Sequence, residues 1–79
     1  MKLYRQEKLI DKLLKFRWKK HNFDCIKVEC YNRFDGDNFM CRVEVFRDKK
    51  RLMKHEAELN ENFVRNAEDR LGEILIDQI

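Results

Sequence analysis

Arg5, Lys8, Lys12, Lys15 and Lys19 follow one another at steps of three, four, three and four. On an α-helix this spacing gathers the five cations on one ridge, and no acid falls within it. The chemistry open to such a ridge is the binding of anions, either phosphates or carboxylates on a protein surface. A second cationic cluster, Arg47-Asp48-Lys49-Lys50-Arg51, lies further along the chain. Between Met1 and His21 eight Lys and Arg face only Glu7 and Asp11, a local charge of +6 in a chain whose net charge is +3. From Glu56 to Ile79 seven acids face two arginines, so the end of the chain is acidic where its start is basic.

Other reactive side chains are few. The chain has no serine and no threonine, and its two histidines are His21 and His55. No Ser–His–Asp set and no glycine-rich phosphate loop is present. His21 lies near Cys25, as a base would near a thiol nucleophile, but a helix end followed by a strand start explains the same adjacency. Cys30, Cys41 and His55 fall on one face of the strands read below, and three such groups are zinc ligands in other settings. No CxxC or HxxxH spacing accompanies them. Buried cysteine is common in plain cores, so no metal and no cofactor is expected. Three cysteines without framework spacing suit a reducing, cytoplasmic compartment, where Cys30 and Cys41 stay free thiols. Cys25 is expected at the surface or a sheet edge. The expectation is a protein that is not an enzyme.

The elements that position these groups follow from periodicity. A first helix is predicted from about Lys2 to Lys20. Leu3, Leu9, Ile10, Leu13 and Leu14 form a broad apolar face opposite the basic ridge, flanked by Phe16 and Trp18. That whole face is expected to cover the sheet. Cys25 to Tyr31 alternates as a strand, Asp35-Gly36 is a hairpin signal, and Phe39 to Phe46 is the second strand. With a two-residue loop, Lys27 faces Glu44 and Glu29 faces Arg42, while Val28 meets Val43 and Ile26 meets Val45. A four-residue loop would set Glu29 against Glu44, and like charges directly opposite are destabilising.

The same test applies to the next segment. A three-residue loop Asp48-Lys49-Lys50 sets Phe46 against Leu52, Glu44 against Lys54, and Arg42 against Glu56. The other face then pairs Val45 with Met53, Val43 with His55, and Cys41 with Ala57. Two separate loops thus yield complementary charge rows, Lys27–Glu44–Lys54 and Glu29–Arg42–Glu56, so Arg51 to Glu58 is read as a third strand. The rival, a long helix from about Asp48, would crowd Lys49, Lys50, Arg51 and Lys54 into its first turns, against the helix dipole. A last helix is predicted from about Glu61, with Asn60 as N-cap; Gly72 lies within it and is a potential early end.

The reading is therefore α+β: a single domain, 1–79, in the order α-β-β-β-α, a three-stranded antiparallel meander with both helices on one face. Seventy-nine residues bury only about 60% of their unfolded surface, so the core is thin. A hydrophobic fraction of 43% is too high for a disordered chain. No apolar run approaches the ~20 residues that span a bilayer, and no signal peptide is read at the start. The absence of proline and the wealth of Lys, Asn, Phe and Ile suit an AT-rich genome, as in a bacterial or phage accessory protein.

The helix–three strands–helix order resembles the double-stranded-RNA-binding domain over most of the chain. The resemblance is one of layout and implies RNA binding through the last helix and the first hairpin loop. The family's lysine-rich start to the last helix reads Asn60-Glu61-Asn62-Phe63-Val64-Arg65 here, and its Gly-Pro and His loop reads Asp35-Gly36-Asp37-Asn38. No RNA-contact residue is carried over. The leading expectation is a small interaction protein, of inhibitor or adaptor type. It meets an acidic protein surface through Arg5, Lys8, Lys12, Lys15 and Lys19, supported by Lys49, Lys50 and Arg51. Sheet-edge pairing is a second mode of the same reading. Nucleic-acid binding through the same helix and the Arg47–Arg51 loop, with Tyr4, Phe16, Trp18 and Tyr31 stacking on bases, is the alternative. No membrane partner is expected, and a homodimer is compatible with the basic and acidic ends of the chain.

Overall fold

Alternation along the strands places the apolar side chains on one sheet face, and both helices cover that face. The computed structural model describes residues 3–32 and 38–77. Helix α1 spans Leu3–Arg17 and a 3₁₀ turn follows at Lys19–His21. Strands β1 (Cys25–Asn32), β2 (Phe39–Arg47) and β3 (Lys50–Glu58) form an antiparallel sheet in the order β1-β2-β3, and α2 spans Phe63–Asp77. The α+β meander with both helices on one face is as read from the sequence.

The core joins all five elements. Leu14 and Trp18 come from the α1 segment, Cys30 from β1, Cys41, Val43 and Val45 from β2, Met53 from β3, and Phe63, Ala67 and Leu71 from α2. The outer sheet face carries the expected charge rows in register, but Lys27 lies over the Phe46 ring and Glu44 takes its ion pairs from Arg42 and Arg51. Glu29 pairs with Arg42, Glu44 accepts from Arg51 at 3.1 Å, and Tyr31 donates to Glu56.

The β1–β2 register matches the two-residue-loop reading from Cys25↔Phe46 to Asn32↔Phe39. The loop Asp35-Gly36 itself lies outside the described residues. The β2–β3 register matches from Cys41↔Ala57 to Val45↔Met53, then departs from expectation. Phe46 faces Arg51 rather than Leu52, and Arg47 faces Lys50. The loop is therefore Asp48-Lys49 alone, and Leu52 is the extra residue of a β-bulge. Both loop residues have positive φ, 55° and 66°, the signature of the hairpin turn that matches strand twist. Neither is glycine, and the carboxylate of Asp24 is what holds them there. Its Oδ2 accepts from the Asp48 N–H at 2.6 Å and lies 3.4 Å from the Lys49 nitrogen.

The helix ends also differ from the sequence reading. Helix α1 ends at Arg17, short of Lys20, because after the Trp18 N–H bonds the Leu14 carbonyl the chain tightens into the 3₁₀ turn and leaves through Asn22 in the left-handed region, φ 54°. Helix α2 begins at Phe63, two residues after the expected Glu61. Asn60 lies two residues before the N-cap position, Asn62, and its Oδ1 accepts from the Asn62 N–H at 2.9 Å.

Gly72 does not end α2, which continues to Asp77. An added Cβ at Gly72 meets nothing within 4 Å, and its φ is not positive. Gly72→Ala is therefore expected to raise stability by about 0.5–1 kcal/mol through helix propensity and a stiffer unfolded chain. Urea denaturation reads this as a higher midpoint at unchanged slope; a lower midpoint would mean that the methyl group is not accommodated.

Polar contacts at two points, together with Leu14 and Trp18 in the core, fix how α1 is rotated on the sheet. Glu7 accepts from the backbone N–H of Cys30 at 3.0 Å, which ties one flank of the helix to the outward edge of β1. At the other end Arg17 makes a two-pronged pair with Glu68 of α2, both contacts at 2.7 Å, and the Trp18 indole N–H donates to the same carboxylate at 3.2 Å. The Arg17 guanidinium and then the indole hold the Glu68 carboxyl below its usual range. Trp18 is 3% exposed, so removing its acceptor leaves a buried N–H unpaired. Glu68→Ala is expected to cost about 1–2 kcal/mol at neutral pH. Because the folded-state pKa lies below the unfolded one, this stability is full above about 4.5 and is lost as pH falls through the folded value. Urea titrations of wild type and variant at pH 7 and pH 3 check this. The gap should narrow at pH 3, and an equal gap at both pH values would assign it to packing alone.

Candidate interaction surface on the first helix

With α1 pinned by Glu7, Arg17 and Trp18, its outward side is decided. Leu14 and Trp18 point into the core, so the surface opposite them presents Arg5, Lys12, Leu9 and Phe16. This corrects the expectation that the whole apolar face of the helix covers the sheet. Leu9 is 62% exposed, Leu13 42% and Phe16 79%. The three follow at steps of four and three, which aligns them as one stripe along the helix.

The basic ridge borders this stripe. Arg5, Lys8, Lys12, Lys15 and Lys19 are all exposed. Arg5, Lys8 and Lys12 stand around Leu9 at the rim of a shallow hollow of about 330 Å³. Lys15 is paired with Asp11 at 3.0 Å, one turn earlier on the neighbouring row. Arg5, Lys12 and Lys19 have no ion-pair partner among the described residues. Exposed apolar side chains with a polar rim are characteristic of interaction sites.

The second cationic cluster divides. The Asp24 contact ties the Asp48-Lys49 turn to the segment between α1 and β1. Lys15, Lys19 and Asp24 line one depression of about 410 Å³, so Lys49 reaches the corner where the ridge ends. Lys50 is exposed beside it. Arg47 turns inward, donating to the His21 carbonyl at 2.8 Å with its guanidinium 5.0 Å from the centre of the Phe23 ring. Arg51 pairs with Glu44 on the outer sheet face and does not join the α1 surface.

The aromatics also separate. Phe16 lies on the exposed stripe, Trp18 is buried and bonded to Glu68, and Tyr31 is bonded to Glu56 on the far sheet face. Base stacking by these as one platform is therefore not available; the side chain of Tyr4 lies outside the described residues. His21 stacks on Phe23 at 5.2 Å. Its pKa is lowered by burial and by the nearby Lys20 and Arg47 cations, which marks this corner as electropositive.

On the core face the Cys30 and Cys41 sulfurs lie 3.5 Å apart, and burial pushes both thiols up, so they stay protonated and inert. The His55 ring packs 5.2 Å from Phe63 and burial lowers its pKa. No group of three metal-ligating side chains is present among the described residues. Cys25 is exposed, as read from the sequence.

Sequence reasoning missed Leu9 and Leu13 as surface residues, placed Phe16 only at the flank of the apolar face, and missed Glu7, Asp24 and Glu68 as the groups that position the surface. One signal was present: Leu9 and Phe16 are seven residues apart, as are Arg5, Lys12 and Lys19. No protein-family model, no curated protein and no solved structure matches the chain. No helix is long and apolar enough to cross a membrane among the described residues.

Proposed function

We propose that this chain is a small non-enzymatic interaction protein, of inhibitor or adaptor type, that docks on an acidic protein surface through the outward side of α1. The observation that carries this reading is the stripe Leu9, Leu13 and Phe16, exposed beside Arg5, Lys12 and Lys19, which have no ion-pair partner among the described residues. Phosphate binding draws on cations alone. An apolar stripe beside those cations adds value only against a partner that carries apolar side chains among its acids. The docking residues are Arg5, Lys8, Lys12, Lys15 and Lys19, with Lys49 and Lys50 extending the surface at the corner.

Fluorescence anisotropy separates this from nucleic-acid binding. The probes are a labelled random copolymer of glutamate and leucine, poly-glutamate, duplex RNA, duplex DNA and single strands, each at low and physiological salt. The copolymer is expected to bind at physiological salt more tightly than poly-glutamate or any nucleic acid. Nucleic-acid affinity in the micromolar range or tighter at physiological salt, exceeding that for the copolymer, would overturn the reading in favour of phosphate-backbone binding.

A further inference from the structure

The exposed residues of α1 are arranged as one side of a helix–helix seam. Leu9, Leu13 and Phe16 repeat at steps of four and three, the spacing of the facing positions in paired helices. The row bordering the seam on one flank is Arg5 and Lys12, seven residues apart, and Lys19 continues it just past the end of α1. On the opposite flank Arg17 is already held by Glu68. The seam spans about 10 Å, or two helical turns. It faces solvent because Leu14 and Trp18, on the other side of the helix, occupy the core.

We infer that the partner is an acidic amphipathic helix from another protein. It lies along α1, with apolar side chains packed between Leu9, Leu13 and Phe16 and carboxylates against Arg5, Lys12 and Lys19. The inference rests on the reading of α1 as the docking surface and adds the shape of what docks there. A helix meets a four–three seam with its own apolar row, whereas an extended acidic segment alternates at a period of two and cannot follow it. A second copy of α1 does not supply the complement. Crossed antiparallel, it sets Arg5 and Lys12 against the same cations; crossed parallel, it sets them against the flank of Ile10 and Arg17.

The test uses two labelled peptides of identical composition, about three heptads long. In the first, leucines occupy the seam positions, glutamates flank them, and side-chain lactam bridges hold the helix. In the second the same residues are scrambled so that no apolar stripe forms. Binding is measured for wild type and for Leu9→Ser and Phe16→Ser, both chosen because they are mostly exposed and leave the core intact, with circular dichroism to verify folding. Sedimentation of the chain alone and binding to phosphatidylserine/phosphatidylcholine vesicles complete the set. The helical peptide is expected to bind at least about tenfold more tightly than the scrambled one, and each serine variant to weaken it about tenfold.

Equal binding of both peptides would overturn the helix inference while leaving acidic docking intact. Binding of neither peptide would overturn both. Self-association abolished by Phe16→Ser would make a second copy the occupant and overturn the inference. Vesicle binding tighter than peptide binding, lost in the same variant, would do so in favour of an anionic lipid surface.

Discussion

Phe63→Ala is expected to lower the unfolding free energy by about 3–5 kcal/mol, the usual range for deleting a buried aromatic ring. Phe63 is the largest of the fully buried side chains, 1% exposed, at the first turn of α2. It packs against the His55 ring of β3 and so joins the helix to the sheet edge furthest from α1. A domain of this length has roughly 4–12 kcal/mol in total. The single substitution therefore removes a large part of its stability and can leave the chain unfolded at 37 °C. Phe63→Leu keeps most of the volume and is expected to cost about 1 kcal/mol. Urea denaturation followed by circular dichroism measures both. A loss below about 1 kcal/mol for the alanine variant would show that α2 is not anchored at this point.

The second large effect concerns binding and leaves the fold unchanged. Replacing Arg5, Lys12 and Lys19 together by glutamate changes the net charge from +3 to −3. All three side chains are exposed and have no ion-pair partner among the described residues, so their reversal breaks no ion pair there. Each position exchanges an attraction for a repulsion against an acidic partner. At about 1 kcal/mol per exposed charge, the variant should bind the glutamate–leucine copolymer roughly a hundredfold more weakly. Isothermal titration at physiological salt measures the loss, and the far-ultraviolet spectrum verifies the helix. An unchanged affinity would move the docking surface away from α1 altogether.

Lowering the pH below about 6.5 should weaken the fold. His55 and His21 both have folded-state values below the ordinary 6.5, His55 through burial and then Arg70, His21 through burial and then Lys20 and Arg47. The unfolded chain thus binds protons more readily than the folded one as pH falls below 6.5. Stability is full above that value and declines toward each folded-state value.

The sheet was readable from the chain because strand side chains have a period of two. A slip of one residue would have put Val28, Val43 and Val45 in water, and a slip of two would have opposed Glu29 to Glu44. Burial pattern and charge rows therefore agreed on one register, and the order of elements and the placement of both helices on the apolar face followed. The register was missed only from Phe46 onward. There the turn depends on the Asp24 carboxylate, from a segment more than twenty residues away, holding two non-glycine residues at positive φ. Local sequence carries no trace of that contact.

The surface divided along the same line. The cationic ridge was legible, since it needs only helical spacing and exposed charge. Which apolar residues stay outside was not, because the apolar arc of α1 is wider than the strip the sheet covers. Periodicity gives the angle between side chains but not the rotation of the helix about its axis. That rotation is set by the packing of Leu14 and Trp18 in the core together with Glu7 on the Cys30 N–H and Glu68 on Arg17 and Trp18, contacts between residues far apart in the chain. The amino-acid sequence by itself determined the fold and the sign of the charge on its first helix. Tertiary structure decided that Leu9, Leu13 and Phe16 stand beside that charge in solvent, because burial of Leu14 and Trp18 against the sheet and α2, together with long-range polar contacts, chooses which side of the helix faces the core.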